Sequence, residues 1–200
     1  MSKLKEKSLH TQTAIVAAFW ELYKEKPINK ITVKDVTDKA GLYRSTLYYY
    51  LEDVYAILEF IEAEILQDWE DTIADIFTEG YDLLLRGNVR HVLPKIEPFY
   101  KRTGEYITVL LGPSGDPQFQ QKIKDTLRKR IFSMFEISET HLEAQIIFEA
   151  CCSAMLAVFV KWYSDDAPLD QIAETFQKIV NPQLFQTMLS YSSNPLLRMI

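Results

Sequence analysis

Residues 31–51, ITVKDVTDKAGLYRSTLYYYL, restrict the possible folds more than any other stretch of the chain. Val33, Val36 and Ala40 recur on one face at helical spacing, and Gly41 can adopt the positive φ that a sharp turn needs. Thr32 is placed to N-cap this short helix, and Asp35 three residues later completes a short capping box. Beyond the turn stand Tyr43, Arg44, Ser45, Thr46, Tyr48, Tyr49 and Tyr50, with only Leu42, Leu47 and Leu51 clearly apolar. A helix that commits so few residues to a core is shaped to touch something polar. The pattern predicts a helix-turn-helix whose second helix enters a DNA major groove.

A net charge of −6 looks unfavourable for such a role, but the charge is unevenly placed. Residues 1–58 hold eight Lys and one Arg against seven acids, whereas the remaining 142 residues hold thirteen basic and twenty-one acidic groups. A modestly basic head on an acidic body limits contact with nucleic acid to one face. The small basic excess makes affinity depend on dimerisation and on neutral phosphate contacts. Hydrophobic residues at 48% and charged residues at 25% fit a globular chain, and only six glycines argue against a loop-rich or all-β architecture.

The rest of the chain reads as helices. A first helix is expected over residues 11–26, with Ile15, Phe19, Leu22 and Tyr23 on one stripe and Pro27 ending it. Glu52 and Asp53 stand at the mouth of a long connecting helix over residues 54–79, ending before Gly80. Helices follow over residues 88–103, bent or interrupted by Pro94 and Pro98, then 105–111, then 118–135. Residues 139–163 differ, with apolar pairs every four positions: Ile146-Ile147, Ala150-Cys151, Ala154-Met155 and Val158-Phe159, then Trp162. A helix apolar over so much of its circumference must be covered on more than one side. Pro168 opens a last amphipathic helix carrying Leu169, Ile172, Phe176, Ile179 and Val180.

The head resembles the DNA-binding domain of the tetracycline-repressor (TetR/AcrR-like) family of bacterial regulators. The resemblance covers residues 10–60 and rests on Ile31-Thr32-Val33, Ala40-Gly41 and Arg44-Ser45-Thr46-Leu47-Tyr48. Phe159-Val160-Lys161-Trp162 before an acidic break is similar to the C-terminal domain common in such regulators from Firmicutes. Two positions depart from the family pattern: a phosphate-holding Lys is replaced by Val54, and a small capping residue by Tyr43. The resemblance implies an all-α fold, with a three-helix DNA-binding domain over residues 1–53 and a helical ligand-binding and dimerisation domain over residues 54–200. It assigns phosphate contacts to Thr32, Thr46 and Tyr48.

Among the remaining polar residues of the head, Arg44 is its single arginine and suits a bidentate grip on guanine O6 and N7. Tyr43, Ser45 and Tyr49 suit base edges or methyl groups, and Lys30, Lys34 and Lys39 suit phosphates. The implied effector pocket draws on Trp69, Phe77, Phe99, Tyr106, Phe119 and Phe148, residues that read equally as plain core. The implied dimer seam draws on Ile147, Cys151, Met155, Phe159, Trp162 and Phe176.

No catalytic or cofactor motif is recognised. His10, His91 and His141 lack metal-ligand spacing, and Ser114 in GPSGD lacks the Lys-Ser/Thr of a phosphate loop. Adjacent Cys151 and Cys152 suit a reducing compartment, as apolar fillers or as a redox sensor. MSKLKEKSLHTQT lacks the apolar core of a signal peptide, and the longest small-and-apolar run, residues 150–160, is short of the roughly 20 needed to span a bilayer. The expectation is a cytoplasmic, homodimeric regulator without cofactor or enzymatic activity, a repressor that binds a DNA operator and is released by a small-molecule effector. Its alternatives are an activator, a co-regulator acting with a partner protein, or a helical ligand-binding protein with weak DNA affinity.

Overall fold

The computed structural model describes residues 3–85, 92–113, 115–165, 182–194 and parts of 167–178, with side chains placed from Ser8 to Ile76 in the first stretch. Eight α-helices are present among these residues: α1 (Lys3–Glu25), α2 (Val33–Ala40), α3 (Arg44–Tyr50), α4 (Val54–Leu85), α5 (Leu93–Leu110), α6 (Phe119–Met134), α7 (Leu142–Asp165) and α8 (Pro182–Ser190). A 3-10 turn at Ile28–Lys30 joins α1 to α2. The all-α expectation holds; the single β pairing among the described residues is an isolated bridge between Ile137 and Ser192. The helices form two compact units, residues 1–65 with 113–115, and residues 66–112 with 116–200.

In the first unit α1 packs on α2 and α2 on α3. Ile15, Phe19, Trp20 and Tyr23 of α1, Ile31, Val36, Leu47, and Val54, Ile57, Leu58 and Ile61 of α4 are all buried. The α1 stripe is reinforced by rings one turn apart, Phe19 and Tyr23, stacked at 5.5 Å. α1 begins at Lys3 rather than near residue 11. Residues 3–10 contain no glycine or proline, so nothing local stops the helix from extending.

In the second unit α7 packs against α5, α6 and α8. Phe99, Ile107 and Leu110 of α5, Phe119, Ile123, Leu127 and Phe132 of α6, Phe148, Cys152 and Trp162 of α7, and Met188 and Leu189 of α8 are buried. Tyr100, Trp162 and Ile172 form a cluster joined by Val158, Phe159 and Tyr163. The approach of α5 to α7 depends on Gly104: a Cβ there would lie 2.3 Å from the Tyr163 ring.

Expected breaks at a glycine and at two prolines also differ from the structure. α4 runs through Gly80 to Leu85, because one interior glycine costs only about 1 kcal/mol and apolar residues follow it. Residues 93–110 form one helix rather than two. Pro94 sits in the first turn, where its missing N–H is not needed, and Pro98 forfeits a single hydrogen bond within an otherwise well-buried helix.

α7 ends at Asp165 and a new turn opens at Pro168, whose carbonyl accepts from the Ile172 N–H at 3.2 Å. Leu169, Phe176, Ile179 and Val180 lie outside the described residues. As a whole helix, α7 is long and apolar enough to cross a membrane by length and composition alone, which the shorter run in the sequence did not suggest. Core helices of globular units meet the same test, and one side of α7 is covered by α5, α6 and α8.

Candidate nucleic-acid interface

The turn between α2 and α3 is built from local hydrogen bonds. Thr32 Oγ1 accepts from the Asp35 N–H at 3.1 Å, and the Asp35 carboxylate accepts from the Thr32 N–H at 2.9 Å and from Lys26 at 3.1 Å. The Thr32 N–H, with Lys26 behind it, holds the Asp35 carboxyl below the usual carboxylate range. At the other end Gly41 takes φ 66°, and the Leu42 N–H returns to the Thr37 carbonyl at 2.9 Å. This left-handed cap ends α2 abruptly and re-aims the chain into α3.

One side chain sets the rotation of α3. Leu47 is fully buried, so the face opposite it looks outward. At 100° per residue that outward face carries Ser45 and Tyr49, one turn apart, flanked by the row of Arg44 and Tyr48. Tyr49 is 82% exposed and Tyr48 57%. Tyr43 occupies the N-cap position without a side-chain cap bond and is 83% exposed. Tyr50 is half-buried, and its ring meets that of Tyr49 edge-on at 5.0 Å.

Seven of the residues expected at DNA are therefore exposed in this one unit: Thr32, Lys39, Tyr43, Arg44, Ser45, Tyr48 and Tyr49. Thr46 is half-buried. Lys24 and Lys26 are drawn to Glu21 at 2.7 Å and Asp35 at 3.1 Å, while Lys30, Lys34, Lys39 and Arg44 present exposed cationic heads.

The start of α4 departs from the family pattern in geometry as well as in residue type. Asp53 Oδ1 accepts from the Ala56 N–H at 2.9 Å, so a carboxylate already caps the helix. Val54 is buried in the core. An anion approaching this helix start meets a negative charge and no lysine. Tyr55, which the sequence reading passed over, is exposed beside it. Its signal was the stripe of Val54, Ile57, Leu58 and Ile61, which turns position 55 outward.

In the second unit the aromatics named for an effector pocket separate into groups. Trp69 and Phe99 meet at 4.6 Å, and Phe99 lies 6.0 Å from Phe159. Phe148 instead faces Phe132 at 5.9 Å, Phe119 is wholly buried at the start of α6, and Tyr106 is half-buried. The Phe77 side chain lies outside the described residues. Trp69 Nε1 and Thr108 Oγ1 are buried polar atoms without a hydrogen-bond partner among the described residues.

The residues named for a dimer seam fall mostly on the inner or lateral sides of α7. Trp162 is 6% exposed, stacks on Tyr100 at 3.8 Å and donates its indole N–H to the Ala167 carbonyl at 2.9 Å. Phe159 packs on Phe99 and Tyr100 of its own subunit. Ile147, Cys151 and Met155 are half-buried, and Phe176 lies outside the described residues. The uncovered side of α7 carries Leu142, Ile146, Ala150 and Ala157. Burial pushes the Cys152 thiol up to about 12 and raises Cys151 as well. Thiolates are disfavoured at both, which suits packing better than redox chemistry.

Residues 88–182 match a family model described as a transcriptional regulator C-terminal region. Over 177 residues, 87% of this chain, the sequence is 22% identical to an uncharacterized HTH-type transcriptional regulator, YxbF, of Bacillus subtilis (strain 168). The chain spans about half, 46%, of the length of that curated relative. A crystal structure of a TetR-family transcriptional regulator from Streptomyces coelicolor superimposes with a TM-score of 0.55 at 14% identity, over 95% of this chain and 86% of that one, so the fold is shared. The dihydroxyacetone kinase operon activator DhaS superimposes with a TM-score of 0.46 at 18% identity, over 92% of this chain and 98% of that one. A Bacillus relative agrees with the Firmicutes-type C-terminal region expected from the sequence. With the helix-turn-helix of the first unit, these matches make the chain similar to transcriptional regulators in its C-terminal region and give it the fold of a TetR-family regulator.

Proposed function

We propose that this chain is a cytoplasmic, homodimeric repressor that places one α3 from each subunit in successive major grooves of an operator and leaves it when a small molecule binds the second unit. The observation that carries the reading is the exposed set Arg44, Ser45, Tyr48 and Tyr49 on α3, held outward by a fully buried Leu47. In this reading residues 1–53 form the DNA-binding domain and residues 54–200 the ligand and dimerisation domain. Arg44 reads a guanine. Tyr43, Ser45 and Tyr49 face base edges, while Thr32, Lys39, Thr46 and Tyr48 hold phosphates. Thr32 uses an oxygen lone pair for its cap and keeps its hydroxyl proton to donate.

Two features support the other halves of the proposal. An exposed apolar row on α7, led by Leu142 and Ile146 and adjoining the half-buried Ile147, Cys151 and Met155, favours a seam with a second copy. Trp69 Nε1, whose ring lies against Phe99, and Thr108 Oγ1 are buried without a partner among the described residues, which favours a small effector that supplies hydrogen bonds. Such a molecule shifts the population between DNA-competent and incompetent forms through its differential affinity for them.

Selection of duplexes from a random pool tests the reading. It predicts enrichment of an inverted repeat whose half-sites are one helical turn apart. If Lys30, Lys34 and Lys39 of each subunit neutralise phosphates, log K should fall against log salt with a slope of about −5. A pool that enriches no sequence would refute specific operator binding.

A further inference from the structure

The most exposed tyrosine of α3 has no role in the core of the fold. Tyr49 is 82% exposed on the outward face, and Tyr50, itself half-buried, braces its ring edge-on at 5.0 Å. Displaying an aromatic ring to water forfeits the burial free energy that most tyrosines gain. Binding must recover it if the residue is to contribute there. The phenol hydroxyl can donate to a phosphate, as proposed for Tyr48, but the neutral ring face draws nothing from phosphate charge. On the floor of the major groove the bases offer hydrogen-bonding edges and one apolar projection, the 5-methyl group of thymine.

We infer that the Tyr49 ring reads a thymine by lying against its 5-methyl group. The inference rests on the operator-binding role proposed above and assigns part of its specificity. Arg44 and Tyr49 are five residues apart, about 7.5 Å along the helix axis and about 140° around it, so the two side chains reach different base pairs. The half-site therefore carries a thymine on a base pair other than the one held by Arg44. Tyr50 acts as a positioning residue, fixing the ring through the edge contact.

The test uses the full chain and the duplex enriched from a random pool, resynthesised with deoxyuridine in place of each thymidine in turn. That exchange removes the methyl group and leaves every hydrogen-bonding edge intact. At the thymine under Tyr49, the dissociation constant should rise about fourfold for one half-site and about fifteenfold for both, the effect of one or two buried methyl groups. Tyr49→Phe should keep this sensitivity and Tyr49→Ala should abolish it. If uracil is tolerated everywhere while the guanine preference remains, the inference is wrong and the operator-binding role stands. A uracil penalty that persists unchanged in Tyr49→Ala also overturns it, because another residue then reads the methyl. Failure to enrich any duplex defeats the operator-binding role and this inference with it.

Discussion

Ile146→Asp is expected to leave a folded monomer whose operator affinity is lower by about 10²–10⁴-fold, the range by which a linked second site raises avidity. Ile146 is 58% exposed and Leu142, one turn earlier, 68%, so within a single subunit neither side chain contributes much to a core. A carboxylate at position 146 therefore costs the isolated subunit little. In a seam between two copies it would be a desolvated charge without a partner, a severe penalty. Light scattering at micromolar concentration should report half the wild-type mass, with an unchanged far-ultraviolet circular dichroism spectrum. A variant that stays dimeric would place the seam elsewhere.

Trp162→Ala should behave in the opposite way. The indole is stacked on Tyr100 at 3.8 Å, lies near Phe159 at 6.5 Å, and ties the end of α7 to the following break through the Ala167 carbonyl. Truncating a large buried aromatic typically costs about 3–5 kcal/mol, because the surrounding core closes only in part. The loss should appear as a lower denaturation midpoint of the second unit, and it should be the same at protein concentrations where the dimer is intact. If Trp162→Ala instead kept its stability and dissociated, the tryptophan would belong to the seam after all.

The contrast between these residues shows where sequence patterns stop. Ile146 and Ile147, or Ala150 and Cys151, are equally apolar and adjacent, and periodicity marks both as helix surface that wants cover. Only packing distinguishes the side facing α5 from the side left open, because that choice depends on Gly104 admitting the Tyr163 ring and on Trp162 finding Tyr100. These are long-range events with no local signal. The turn from α2 to α3 was legible in detail for the opposite reason. Thr32, Asp35 and Gly41 act on backbone atoms within a few residues, so residue type alone nearly determines the geometry.

The interface lies between these extremes. One buried residue, Leu47, fixes the orientation of α3, so its outward residues could be listed from spacing. Proline and glycine misled for a related reason. Their penalties are about 1–3 kcal/mol, real in isolation, but tertiary burial along α4 and α5 outweighs them. The Asp53 cap could have been anticipated from its position, whereas its consequence depends on Val54 facing the core.

In the proposed complex α3 lies in the major groove with Arg44 on a guanine. Dimethyl sulfate methylates guanine at N7, the atom a bidentate guanidinium covers. With the enriched duplex bound, one guanine in each half-site should be protected by the wild-type protein and should regain its reactivity with Arg44→Ala at saturating concentration. Unchanged N7 reactivity on binding of the wild-type protein would show that Arg44 holds no guanine and would contradict the account.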